Sequence, residues 1–308
     1  MRETFTNRAS TGMQAIILNL RLPKFQDMRV RRALNLMLDF ESMNATLMFN
    51  AYRRTDSFWV NTELASRDLP QGLELEILEK VRAQVPPEVF TTPYRNPVGG
   101  TQDALRNNLR EALRLMREAG FEVRDRRMVN AATGEPFRLE LLLNGPTFER
   151  HSLAFKSSLD RLGVELSLRQ VDSAQYVNRV RERNFEAILG SYGQSLSPGN
   201  EQRDYWGSEA ADRPASLNRA GIKNPAIDAL INVLIYAKDR AELIAATRAL
   251  DRVLLANHYM IPTWYSGRAW TARWDRFGRP DPMPDYGVTG FPTIWWFDQA
   301  KAARLTAR

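Results

Sequence analysis

The 308-residue chain has no cysteine, only two histidines and only six lysines. Without cysteine there are no disulfides and no thiolate chemistry, and an oxidising compartment poses no hazard to the fold. No apolar run approaches the roughly 18 residues that suggest a membrane-spanning helix. The opening residues, Met1-Arg-Glu-Thr-Phe-Thr-Asn-Arg-Ala-Ser10, contain no apolar h-region and do not read as a secretory signal. Taken literally, that predicts a cytoplasmic protein. The alternative is that the chain is a piece of something longer.

Catalytic machinery is also missing from the pattern. His151 and His258 read as structural helix residues, and no H-E-x-x-H, Cys/His cluster or carboxylate-rich loop suggests a metal. Gly99-Gly100 and Gly190-Ser-Tyr-Gly193 lack the spacing of a P-loop or dinucleotide fingerprint, and no G-x-S-x-G elbow occurs. The sequence therefore predicts no enzyme, no cofactor and no metal. Net charge is +7, from 43 basic and 36 acidic residues. Nucleic-acid binding requires a clustered basic stripe, whereas these arginines are scattered, so no nucleic-acid partner is predicted. The use of Arg in place of Lys is read as genomic base composition.

What is present is an α/β pattern. Gln14–Leu22 reads as a strand closed by Pro23. Asp27 then caps a helix with Val30, Leu34 and Leu38 on one face, and Asp39 opens a second helix. Residues 60–100, with Pro70, Pro86, Pro87, Pro93 and Pro97, are expected to form a long irregular surface connection. An amphipathic helix spans Asp103–Ala119, with Gly120 as its stop. A hairpin turn is expected at Val129–Gly134. Strand 137–143, helix 148–162 and strand 164–170 form a right-handed β-α-β unit, which a helix near 174–183 and a strand at 185–190 extend as a parallel layer. Asn224-Pro225 and Asp239-Arg-Ala-Glu242 start two further helices. The last fifty residues hold five of the seven tryptophans among prolines, an aromatic surface that must pack on something.

The stretch Ser195-Leu-Ser-Pro-Gly-Asn-Glu-Gln-Arg-Asp-Tyr-Trp-Gly-Ser208 leaves the end of the strand that finishes near Tyr192. Loops at the carboxyl ends of strands in an open α/β sheet are where small ligands bind. Tyr192, Ser197, Asn200, Glu201, Arg203 and Trp206 are the first candidates, with Trp206 read equally as a core anchor. Phe148 and Arg150 begin a helix after a strand, where backbone N–H groups can meet a carboxylate. Trp264 and Tyr265 are candidates for a cleft wall, with Tyr52–Phe58 along its border.

Several segments together resemble the dipeptide/oligopeptide-binding family of ABC-transporter substrate-binding proteins. They are Pro23-Lys-Phe-Gln-Asp-Met-Arg-Val-Arg-Arg-Ala-Leu34 with Leu38-Asp39, the helix Ala112–Gly120 ending Glu-Ala-Gly, Leu162-Gly-Val-Glu-Leu166, Val171-Asp172 and the loop at Ser197-Pro198. Asn50–Phe58, Ala220–Lys223 and Leu250–Leu255 resemble the branch importing oligopeptides and microcin C-type conjugates. The resemblance implies the large lobe of a two-lobed periplasmic binding protein, a mixed sheet flanked by helices. Residues 1–22 would be a hinge strand and remnant of the first lobe, 23–261 the second lobe, and 262–308 a return segment completing the first.

It further implies a peptide ligand in an interlobe cleft, an ABC permease as partner, a missing amino-terminal lobe, and a periplasmic location with the signal peptide upstream. Many relatives hold the ligand ammonium with an Asp before Pro, where this chain has Ser197; Glu201 or Asp204 would substitute. The competing reading is a stand-alone interaction domain that docks a protein partner through the Trp-rich end.

Overall fold

The structure, a computed structural model, describes residues 1–306. Strand β1 (Arg2–Thr6) is followed by β2 (Met13–Leu18), helices α1 (Met28–Leu36) and α2 (Phe40–Leu47), and the short strand β3 (Tyr52–Arg54). Helices α3 (Gly72–Glu79) and α4 (Glu88–Thr91) precede the long α5 (Gln102–Glu118). A hairpin of β4 (Phe121–Arg124) and β5 (Arg127–Asn130) leads to β6 (Arg138–Asn144), α6 (Glu149–Leu162), β7 (Glu165–Val171), α7 (Ser173–Arg181) and β8 (Ala187–Tyr192). Helices α8 (Glu201–Trp206), α9 (Pro225–Ile235) and α10 (Arg240–Ala256) come next. The chain ends through β9 (Met260–Pro262), β10 (Trp264–Ser266), β11 (Arg268–Ala272), β12 (Phe277–Gly278), β13 (Trp296–Phe297) and α11 (Gln299–Thr306). Residues 307 and 308 of the expected return segment lie outside the described residues.

The central sheet has the order β7-β6-β8-β2-β9. β6 runs parallel to β7 and β8, as the β-α-β reading predicts, while β2 joins β8 and β9 antiparallel and makes the sheet mixed. Alternation along β2 sorts the core: Met13, Ala15 and Ile17 face one side, Ile16 and Leu18 the other. The first face is covered by α3, α9 and α10 with Trp59, the second by α1, α5 and α6.

Helix starts follow the sequence signals. Asp27 accepts from Arg29 N at 2.8 Å, Asp172 from Gln175 N at 2.9 Å, Asn224 from Ala226 N at 2.9 Å and Asp239 from Glu242 N at 2.8 Å. Each such cap is worth about 1 kcal/mol.

One expectation is corrected. Residues 60–100 are not a bare surface connection, because Leu64, Ile77, Leu78, Val81, Val85 and Val89 are buried. Two buried charges hold the region down. Arg252 Nε donates to Glu74 Oε1 at 2.8 Å, joining α10 to α3. Asp251 accepts from Ser57 Oγ (2.9 Å), Phe58 N (2.7 Å), Ser66 N (2.9 Å) and Ser66 Oγ (2.7 Å). Burial raises its carboxyl to about 6 despite those four donors. The hairpin turn expected at 129–134 is present, with Val129 bridging Pro136 antiparallel, Asn130 N donating to Glu135 O at 2.8 Å and Gly134 N to Asn130 O at 2.8 Å. A further hairpin turn, absent from the sequence reading, lies just before it at Asp125-Arg126, both at positive φ.

Arginine serves repeatedly as an internal connector. Arg31, 5% exposed, donates to the carbonyl oxygens of Phe25, Gln26, Asn257 and His258, tying α1 to the residues after α10. Arg54 donates to Pro97 O, Asn35 Oδ1 and Pro262 O. Burial lowers the pKa of both, Arg31 to about 10.

Candidate ligand site

The three parallel strands end on one edge of the sheet, at Asn144, Val171 and Tyr192. Antiparallel β2 begins there, since Met13 pairs with Tyr192, and β9 ends there, since Pro262 pairs with Ala15. The connections 145–148, 193–200, 7–12 and β10–β3 therefore converge on the same edge. Gly12 makes the approach possible: a Cβ there would sit 1.7 Å from Tyr192 O, so any side chain would force the backbones apart. Ser10 Oγ donates to Gln194 O at 2.9 Å, Asn61 Nδ2 to Ala9 O at 3.3 Å, and Tyr265 OH to Asn61 Oδ1 at 3.4 Å. These bonds hold three separate loops in one surface.

The 195–208 loop divides between exposed and internal residues. Ser197, Asn200 and Glu201 are exposed. Glu201 Oε1 accepts from Gly199 N at 2.8 Å and Gln202 Nε2 at 3.1 Å, and no ion pair within 4 Å involves its carboxylate among the described residues. Arg203 is exposed, and its Nη2 is directed away to Asn232 Oδ1 on α9 at 2.8 Å. Asp204 is bound to Arg213 and to Leu217 N at 3.2 Å, so it is spent inside the loop and is no substitute for the family's Asp.

Tyr192 and Trp206 are corrected from cleft to core. They are 2% and 0% exposed, with ring centroids 4.3 Å apart and Phe58 packed on Trp206 at 4.9 Å. Trp206 Nε1 donates to Gln202 Oε1 at 2.8 Å, so even its polar atom is used internally. Burial pushes the Tyr192 phenol up to about 12. Aromatics in a polar stretch gain more by filling the core than by standing in water.

A second group forms from distant sequence. Phe148, His151 and Trp264 cluster, with His151 to Trp264 at 5.1 Å and Phe148 to Trp264 at 6.4 Å. Trp264 is 6% exposed and forms a wall; Phe148 and Tyr265 are half-buried, and Arg150 is exposed. Phe148 supplies no side-chain cap to α6. Burial first, and then Arg150, holds His151 below the usual histidine range, so its ring is neutral at pH 7. Tyr52 and Arg54 flank Trp264 through the antiparallel β3–β10 pair. Sequence reasoning did not single out Asn61 or Gln194, nor Gln202 within the quoted loop, because nothing local marks their hydrogen-bond partners. Among the described residues no group of three His, Asp or Glu is placed to hold a metal.

In open α/β sheets, ligands bind in the crevice outside the carboxyl ends of the strands, the edge along which these loops gather. Residues 2–213 match the bacterial extracellular solute-binding proteins, family 5 (middle), and the chain belongs to that family. It is 52% identical over 301 residues to the uncharacterized protein y4wM of Sinorhizobium fredii, covering 97% of this chain and 45% of that protein. It is 51% identical over 288 residues to the probable peptide-binding protein YejA of Agrobacterium fabrum, covering 94% and 47%. The chain thus spans about half the length of the curated relatives it matches.

Among solved structures, the oligopeptide-binding protein AppA of Bacillus subtilis, in complex with a nonapeptide, superposes with a TM-score of 0.69 at 16% identity, covering 97% of this chain and 53% of AppA. NikA of Brucella suis, in complex with Fe(III)-EDTA, gives 0.66 at 17%, covering 96% and 52%. At these identities the likeness is one of fold.

Proposed function

We propose that this chain is the carboxyl-terminal lobe of an extracytoplasmic receptor that binds oligopeptides or peptide conjugates and delivers them to an ABC permease. The observation that carries the reading is the convergence of loops from five strands on one edge, in a chain of the solute-binding family. In this reading the peptide lies along that edge and the first lobe, supplied mainly by sequence beyond these 308 residues, closes over it. Residues 1–22 and 262–308 go with that first lobe, apart from β2 and Pro262 of β9, which are built into this lobe's own sheet. The outward aromatics there, Trp270 and Trp274 at 58% and 69% exposed, support it, because such surface is what an absent partner would cover.

Glu201 is the group for the ligand ammonium, with Ser197 and Asn200 beside it. Phe148, His151 and Trp264 form an apolar subsite, and Arg150 with the start of α6 meets a carboxylate. The reading carries a periplasmic location. The competing role, a stand-alone interaction domain working through the Trp-rich segment, is not favoured by the relatives, one of which is named a probable peptide-binding protein.

Native mass spectrometry of the protein purified from its own organism tests the proposal. A species near twice 35.3 kDa, or this chain held to an amino-terminal fragment and releasing peptides, supports it. A bare 35.3 kDa species that binds no peptide in calorimetry overturns it.

A further inference from the structure

A cavity of about 320 Å³ lies away from the ligand edge, walled by α1, by α4 with the segment after it, by α5 and by the end of α10. Its walls are largely apolar, with Met28, Leu36, Val89, Pro93, Tyr94 and Ala256. Arg32, Arg95, Arg252, Glu88 and Glu111 also border it, three positive groups against two negative. His258 reaches the same lining from the end of α10.

His258 is an expensive residue for this position. It follows the helix cap Asn257 and has φ +50°, a left-handed conformation that helices usually give to glycine. Its Nδ1 is sealed from solvent and has no hydrogen-bond partner. Burial first, then Arg32 and Arg31, holds the imidazole neutral, with its pKa down to about 3. The ring meets Tyr94 at 5.7 Å, a contact that a simple apolar residue would make as well. A ring nitrogen that lacks an acceptor is better left unprotonated, which puts the hydrogen on Nε2 and makes the ring a donor. Asn35 is 2% exposed and already committed, its Oδ1 accepting from Arg54 Nη2 at 2.8 Å and its side chain bonding the Tyr94 hydroxyl, so His258 is the donor left to a ligand.

We propose that this cavity is a second small-molecule site, separate from the peptide edge. Its ligand has an aromatic or branched aliphatic body and one hydrogen-bond-accepting oxygen, received by His258 Nε2–H. Apolar walls with a few polar groups are the usual make-up of such sites.

The two histidines make the test selective, because His151 lies at the ligand edge and His258 at the cavity. Benzamide is titrated into the protein while the imidazole ¹⁵N signals are followed. Saturable movement of the His258 signals near 1 mM, with those of His151 still, is the expected result for a ligand of this size. Peptide should move His151 alone, so the cavity and the peptide edge succeed or fail separately. Ala256→Trp, which fills the cavity, should abolish the benzamide response, and Val89→Phe serves if that variant does not fold. His258→Asn, which tolerates left-handed backbone, should keep Tm within about 2 °C and weaken benzamide at least tenfold by calorimetry. The proposal is overturned if His258 does not respond, if the response survives filling of the cavity, or if His258→Asn binds benzamide unchanged.

Discussion

The sheet lobe and the terminal segments treat their aromatic residues in opposite ways. In the lobe, Trp59 and Trp206 are fully buried and Phe58 is 1% exposed, packed against Trp206. In the terminal segments Trp270, Trp274, Trp296 and Phe297 are all more than half exposed. The terminal pair β1–β11 is only two strands wide, and its local stabilisation comes from Glu3 bridging Arg273 and Arg279 and from Phe5 against Trp295 at 6.1 Å. A two-stranded ribbon is marginal by itself. The contrast sets a lobe that buries its aromatic rings against terminal segments that leave theirs on the surface.

The largest expected effect lies in the lobe. Glu74→Ala leaves Arg252 buried without its partner and should cost about 3–5 kcal/mol in urea unfolding. A loss below about 1 kcal/mol would mean that water reaches the pair and the lobe is looser than its packing implies. Next is a pH effect. Asp251 titrates near 6 in the folded chain and near the ordinary aspartate value when unfolded. Between those values the folded state holds the proton and the unfolded state does not, so stability falls as pH rises from about 4 to about 6, by up to about 3 kcal/mol. Asp251→Asn should flatten that window in pH-dependent unfolding, and an unchanged slope would assign it to other groups.

Glu201→Gln should weaken binding of a peptide with a free amino terminus about tenfold in the two-lobed protein, and leave an N-acetylated peptide unaffected. Equal loss for both peptides would mean that Glu201 only shapes the Gly199 turn. Smallest is Trp270→Ala, expected to lie within about 0.5 kcal/mol in this chain alone because the ring is more than half exposed. The same substitution should become costly once the first lobe is attached, and a large loss in the isolated chain would erase this contrast.

Legibility followed the reach of the signal. The run from β6 to β8 and the caps at Asp27, Asn224 and Asp239 could be read because period and capping are local properties. The 60–100 region was misread because its helices are too short to show a period and its prolines end helices there without excluding them. In the site, the 195–208 loop was visible as a loop, but sequence does not tell whether Tyr192 or Trp206 faces ligand or core. Phe148, His151 and Trp264 come together only because α6 and β10 leave the same sheet edge, and nothing in either segment announces the other. Strand direction was also hidden: β2 and β9 are short apolar runs that fit either orientation.

The scarcity of lysine, read from the sequence as base composition, has a geometric side. Arg31 reaches four carbonyl oxygens from two chain segments, and Arg21 reaches Arg219 O and Asn218 O at 3.1 and 3.2 Å, together with Ala211 O and Asn19 Oδ1. A planar guanidinium presents five hydrogens spread over three nitrogens, whereas an ammonium gathers three on one atom. Lysine at either position could not reach all of these acceptors at once. At these points the choice of base is fixed by the spacing of acceptors, and a drift in genome composition toward lysine codons would stop there.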